Sequence, residues 1–261
     1  MKLSHKQINC LYSKFFLLAI ILLSALLCNS CSHTVSSIAS INTNTFQSAE
    51  NLKAGDFKFH SSYSAAPTYF STTEIENDDL DTFYFYTDFP VKSYVYGGAF
   101  QLGVTDRLDV ILDASRNFFP GQTSPCGKLY LKYQLGSQTS PYSISAMPGF
   151  GIVIGTKEKS CFNDDFIEIE SGLSVTEFHF LMSRRYSEET VFTLGPWITL
   201  MNHEFVTTGT VGAISWDENI RESSIYPGIS LGLQHNKIMF ESALMFVGDQ
   251  IFLVYGIGLR F

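Results

Sequence analysis

The chain has 261 residues, 45% of them hydrophobic, with 17 Lys+Arg against 25 Asp+Glu and a net charge of −8. Residues 1 to 30 carry Lys2, Lys6 and Lys14 and no acid, so the remainder holds 14 basic against 25 acidic residues, a net charge of −11. A surface that acidic excludes an electrostatic attraction to nucleic acid, whose phosphates demand basic patches.

The three lysines precede an apolar run from Phe15 to Leu27. A membrane-spanning helix needs about 20 apolar residues, so this run reads as the core of an export signal, residues 1–30, and not as an anchor. It is followed by Leu26-Leu27-Cys28-Asn29-Ser30-Cys31-Ser32, which resembles the lipobox of bacterial lipoproteins. The resemblance implies acylation of Cys31, which then becomes the new N-terminus. Cys28 stands where that family usually has Leu, and ordinary signal-peptidase cleavage that leaves Cys31 as a free thiol is the alternative. The Cys28-to-Cys31 spacing also fits a redox CxxC, but half of it lies in the removed peptide. Residues 31–51 are rich in Ser, Thr and Asn without a sustained period and read as a tether.

Residues 52–261 contain ten segments with the side-chain period of two that marks a strand. Strand one, Ala54 to Tyr63, sets Phe57, Phe59 and Tyr63 against Lys58, His60 and Ser62. Strand two, Tyr94 to Gly103, turns through Thr105-Asp106 into strand three, where Leu108, Val110 and Leu112 alternate with Asp109, Ile111 and Asp113. Strand four, Lys128 to Leu135, sets Leu129, Leu131 and Tyr133 against Lys128, Tyr130 and Lys132. Strand five follows with Pro148 inside it, which predicts a bulge, because a paired strand residue normally donates its N–H. Strands six and seven span roughly 172–182 and 190–201, with Glu177 and His179 on the polar face. Strands eight and nine meet at His235-Asn236, and Glu241 faces away from Phe240 and Leu244. The last strand places Ile251, Leu253, Tyr255, Ile257, Leu259 and Phe261 on one face and Gly256, Gly258 and Arg260 on the other. The connections near 64–93, 116–127, 155–171 and 202–225 read as long loops, and those between them as short turns.

An even strand count with alternating long and short connections resembles the small outer-membrane β-barrel proteins of Gram-negative bacteria. The resemblance implies an all-β fold, a single antiparallel up-and-down transmembrane β-barrel of about ten strands. Both termini would lie in the periplasm, outer-membrane lipid and the barrel-assembly machinery would be the partners, and Phe261 would be the terminal aromatic that this machinery reads. Residues 1–30 are then signal peptide, 31–51 lipidated tether and 52–261 barrel. Lys58, Asp109, Asp113, Lys128, Lys132, Glu177, Glu241 and Arg260 would fill a narrow interior with charges of both signs. The same alternation also fits a soluble, lipocalin-like barrel tethered by its lipid, with the apolar face turned inward around an apolar ligand.

This topology puts Cys126 and Cys161 in consecutive outer loops, where an oxidising compartment permits a disulfide between them; two unpaired thiols are the alternative. No cofactor motif appears. Gly228-Ile229-Ser230-Leu231-Gly232 matches the GxSxG string of serine hydrolases but lacks the strand-turn-helix context that exposes the nucleophile. An enzyme site would have to lie at the outer rim, from Asp113, Ser115, His203 and Glu204 with Asp217 and Glu218, where carboxylates flanking His203 would raise its pKa as a general base. Phe118, Phe119, Phe162, Phe166 and Trp216 among acids would instead serve a surface interaction. Neither a ligand nor a conducted solute is legible.

Overall fold

Alternating side chains produce eleven strands among the described residues of the computed structural model, which are 33–40, 44–75, 83–118, 124–136, 141–162, 165–211, 214–248 and 250–261. The expected signal peptide and Cys31 lie outside the described residues. In chain order the strands are β1 (His33–Ser40), β2 (Phe57–Ile75), β3 (Phe83–Thr105), β4 (Leu108–Phe118), β5 (Pro125–Gln134), β6 (Tyr142–Phe162), β7 (Asp165–Arg185), β8 (Thr190–Val211), β9 (Ile214–His235), β10 (Ile238–Val247) and β11 (Gln250–Arg260). The chain forms two compact units, 35–72 with 86–261, and 1–34 with 73–85. The described residues of the second unit are ends of β1, β2 and β3.

Within the larger unit, β2 to β11 form a closed antiparallel ring: each strand pairs with the next, and β11 returns to β2 with Tyr255 opposite Ala65 and Arg260 opposite His60. Closure leaves neither edge of the sheet with an unpaired ladder of N–H and C=O groups. The short-hairpin end carries the turns at Asp106-Arg107, Tyr186–Glu189 and Asn236-Lys237, together with Phe261, which exchanges backbone hydrogen bonds with Phe59 (Phe261 N to Phe59 O, 2.8 Å). Asn236 sits at φ 53° and Gly248, at the opposite end between β10 and β11, at φ 58°, the left-handed geometry that tight hairpins need.

Toward the short-hairpin end every ring strand turns apolar side chains outward. β8 shows Phe192, Leu194, Pro196, Ile198 and Leu200 on that side, β10 runs from Ile238 to Phe246, and β11 from Ile251 to Leu259. Each run is nine residues, the length that crosses a bilayer when tilted. The inward positions opposite them mix charged and polar residues such as Lys58, Asp109, Lys132, Thr193 and Glu241 with apolar ones such as Met239, Ala243, Met245 and Val254.

Three expectations need correcting. The segments read as long loops are largely wall. β6 and β7 stay paired out to Phe162 opposite Asp165, and β8 and β9 out to Val211 opposite Ile214. In this upper wall the alternation is inverted: Ile167, Ile169, Leu173 and Val175 point inward and are buried, while Glu170, Asn202, Ser223 and Arg221 point outward. A strand whose outer face meets water lacks the outward apolar stripe, and so it reads as a loop. Pro148 causes no bulge. It stays in register opposite Phe178, and on its other side the β5 ladder is interrupted between Tyr130–Gly149 and Tyr133–Ala146 without a register shift. The bulge lies instead between Ile154 and Lys157, where the extra residue flips the parity and sends Lys157 outward to Glu168, 2.6 Å away.

The third correction concerns the tether. Residues 44–53 do not trail outside the ring but occupy its interior. Asn44, Thr45, Phe46, Gln47 and Ala49 are buried, and the chain turns at Gly55 (φ 86°) before entering β2 at Phe57.

Candidate functional site: the filled interior of the ring

The interior of the ring is built in three layers. Lowest, at the short-hairpin end, lies the strap of residues 44–53. Its backbone offers N–H and C=O groups that must find partners once buried, and inward polar residues of four strands, β4, β5, β7 and β10, supply them. The Phe46 N–H donates to Glu241 on β10 (2.5 Å), the Ala49 N–H to Ser183 Oγ on β7 (2.7 Å), and the Leu52 N–H to Asp109 on β4 (3.3 Å). Lys132 Nζ on β5 donates to the carbonyls of Glu50 (2.6 Å) and Ser48 (3.3 Å), and Asn51 Nδ2 donates back to the Lys132 carbonyl (3.2 Å). Lys132 also pairs with Asp109 at 3.1 Å, and Asp109 accepts from Gln101 on β3 (2.5 Å). Arg185 clasps Glu50 with two guanidinium nitrogens, Nε at 2.9 Å.

Phe46 explains two glycines on β11. Its ring lies where Cβ atoms at Gly256 (2.7 Å) and Gly258 (3.3 Å) would intrude, so these two positions open a slot for an aromatic side chain inside the wall. His60 on β2 is 6.2 Å from the same ring. Ala49 packs with Ala99, Ile111, Tyr130, Met147 and Leu181, a small apolar cluster between the strap and the next layer.

The middle layer is a charge network. Lys128 on β5 pairs with Glu177 on β7 at 2.9 Å, Tyr130 donates its hydroxyl to the other Glu177 oxygen at 2.5 Å, and His179 Nε2 is 3.5 Å from Glu177. Asp113 and Ser115 on β4 face the same interior. Above it, Cys126, Val153, Leu173, Val175, Trp197, Met201, Tyr226 and Met245 form the largest apolar cluster. Charges in the middle of this stack are removed from water, and such pairs persist only where geometry and added hydrogen bonds offset desolvation.

The residues expected to carry function are placed as follows. The lipidation candidate Cys31 lies outside the described residues. Cys126 and Cys161 are both free thiols, which overturns the expected disulfide. Cys126 is on β5, facing inward opposite Val153, whereas Cys161 is exposed on β6, eight residues farther along that strand. At about 3.3 Å per residue that separation is roughly 25 Å, far beyond disulfide reach. Phe261 ends the ring with its side chain exposed, its ring centroid 6.3 Å from that of Phe59.

The rim constellation does not assemble. His203 points inward and is buried, and burial lowers its imidazole to about 4, the reverse of the raised value a carboxylate-flanked base would have. Glu204 points outward, where it accepts from Asn219 (2.7 Å) and Arg221 (2.8 Å) and is held below the usual carboxylate range by those bonds. Asp217 is exposed on the outer side of β9; Asp113 and Ser115 belong to the middle layer. Ser230 is buried in β9 and donates to the Gly195 carbonyl at 3.1 Å, so the GxSxG string forms no nucleophile elbow. His60 and His179 are interior residues of the network.

No protein-family model matches the chain, and no curated sequence does. Among solved structures, the outer membrane protease OmpT from Escherichia coli is similar over 89% of this chain and 95% of its own, with a TM-score of 0.41 and 8% identity. The ferric citrate transporter FecA, unliganded, aligns with 80% of this chain and 39% of its own (TM-score 0.32, 8% identity). The toluene transporter TbuX from Ralstonia pickettii aligns with 80% and 88% (TM-score 0.27, 10% identity). At these scores the likenesses bear on no residue here, and the ring stands on its own strand pairing.

Proposed function

We propose that this chain is an outer-membrane β-barrel whose interior is filled by its own N-terminal segment, so that it serves as an anchored wall with a structural or surface-interaction role and not as a conduit. The observation that carries the reading is the outward apolar belt to which all ten ring strands contribute, from Phe57 and Leu112 to Ile225 and Leu259. A water-soluble barrel tethered by its lipid would turn those side chains inward; here the inward positions beneath the belt hold Lys58, Asp109, Lys132 and Glu241. Exposed apolar patches on monomers in water rarely exceed about 300–600 Å², and a continuous ring of large side chains needs a lipid solvent. Phe57, Tyr133, Tyr142, Tyr186 and Phe261 crowd the short-hairpin edge of the belt, as aromatic girdles do at membrane interfaces.

On this reading outer-membrane lipid surrounds the belt, the barrel-assembly machinery engages the β11 end at Phe261, and the inverted upper wall stands in water. The strap and the charge network argue against a wide pore. The test is the mobility of membrane-extracted protein in SDS, unheated against boiled. A closed membrane ring migrates anomalously until heated; identical mobility, together with recovery of the protein in the soluble fraction once any N-terminal acyl group is removed, overturns the reading. Single-channel recordings separate wall from conduit. The intact chain is expected to be silent, and steady conductance from it overturns the filled-interior reading.

A further inference from the structure

We propose that the chain is threaded through its own barrel, so that the segment preceding the strap emerges at the long-hairpin end, opposite Phe261; this rests on the membrane reading above. The starting point is the count of free edges on β2. Over its first half both edges are occupied. On one, Tyr255 to Arg260 of β11 pair with Ala65 to His60, and Phe261 and Phe59 exchange backbone hydrogen bonds. On the other, β3 is in place: Phe57 stacks on Phe100 (6.1 Å) and Tyr63 on Tyr94 (5.6 Å), and the Gly103 N–H donates to the Asp56 carbonyl. Yet β1 is also hydrogen-bonded to β2. A strand has only two edges, so β1 joins β2 beyond Ala65, in its far half.

The strap enters from the other end. Ala54 and Gly55 are bonded to Asp106 and Gly103 at the β3–β4 hairpin (Ala54 N to Asp106, 3.1 Å; Gly55 N to the Gly103 carbonyl, 2.8 Å). Followed toward the N-terminus, Leu52 reaches Asp109, Ala49 reaches Ser183, and Phe46 reaches Gly256, which pairs with Ser64. Six residues before Phe46, Ser40 already belongs to β1. Up to Phe46 the chain has climbed from the short-hairpin mouth to the level of Ser64, and β1, which precedes it, is hydrogen-bonded to β2. On this proposal the chain before the strap leaves on the side opposite the C-terminal strand, against the expectation that both termini share one side of the membrane. The C-terminal strand ends at the short-hairpin mouth, and β1 lies toward the opposite one.

The test is sidedness of labelling on the full-length protein in the outer membrane of whole cells. In a Cys161→Ala background, single cysteines are placed in turn at Ser36 and Ser37 of β1, at Ser223 on the upper wall, and at Lys237 on the short-hairpin turn. A membrane-impermeant maleimide is applied before and after permeabilisation, and the unsubstituted background gives the baseline. The expected result is that the β1 site labels in intact cells to the same extent as S223C, whereas K237C labels only after permeabilisation. A β1 site that tracks K237C overturns the threading. Failure of S223C and K237C to differ from each other would instead overturn the membrane reading on which it rests.

Discussion

The lower ring and the upper wall are made of the same strands, continuous in β8 from Thr190 to Val211, yet they solve opposite problems. Below, Phe192, Ile198 and Leu200 face out while Thr193 and Thr199 face in; above, Asn202, Glu204 and Thr208 face out while Met201 and Phe205 face in. Backbone pairing is indifferent to the change, since the β8–β9 register continues without a shift. What differs is the solvent on the outside. Lipid accepts apolar side chains and supplies no hydrogen bonds, whereas water requires the apolar surface to be folded inward. On the membrane reading proposed above, the level at which β8 exchanges its faces, near Leu200 and Asn202, is where the bilayer ends.

The comparison can be broken most severely in the lower interior. Glu177→Ala leaves Lys128 charged and buried, and loss of one partner of such a pair costs about 3–5 kcal/mol; a fall in the denaturant midpoint for loss of the heat-modifiable form measures it. Replacing Leu131, outward in the belt, by Arg is expected to cost about 2–4 kcal/mol if it lies near the bilayer midplane, while the same change at Val206, outward in the upper wall, should be near neutral. Equal costs at the two sites would erase the boundary. A smaller effect belongs to His203. Its folded value, about 4, lies below the ordinary 6.5, so the neutral ring is favoured by folding. Stability from this group is complete above about pH 6.5 and is lost as pH falls toward 4; in His203→Gln the dependence in that window should flatten. Smallest of all, Arg221→Ala removes a solvent-exposed partner of Glu204 and should leave the midpoint unchanged.

How much of this was legible depended on which solvent each residue faces. Lys58, Asp109, Lys132, Glu177 and Glu241 alternate with large apolar neighbours, and a period of two with that contrast is visible in any window of six residues. The upper wall kept the period and lost the contrast. Val206, Thr207, Thr208, Gly209 and Thr210 differ too little in polarity to announce two faces, and the Gly155 region adds a parity change that no single-strand template anticipates. The strap was illegible for a different reason. Its backbone does the bonding, and backbone groups are the same in every sequence; only Phe46, isolated among polar residues, and the glycine pair at 256 and 258 hinted at a side chain needing a slot. The Cys126–Cys161 disulfide failed with the loops it depended on, because lengthening β6 carried Cys161 away along the wall. His203 and Glu204 are adjacent in sequence, which in a strand means opposite faces, and so they never share a site.

The strap also constrains how the molecule is made. Glu241, Ser183, Lys132 and Asp109 each hold a different stretch of it, and they belong to strands spread around the whole circumference. A finished ring would have to admit the N-terminal segment end-on through a lumen already occupied by the charge network and by Trp197 and Tyr226. The order that avoids this is to lay the segment against the growing sheet first and let the wall curl around it, with β11 meeting β2 as the final event. The strap is then a mandrel, the rod about which a sheet is rolled. The seam that closes last is the one where Gly256 and Gly258 receive Phe46, so the aromatic ring reports that the turn of the roll is complete.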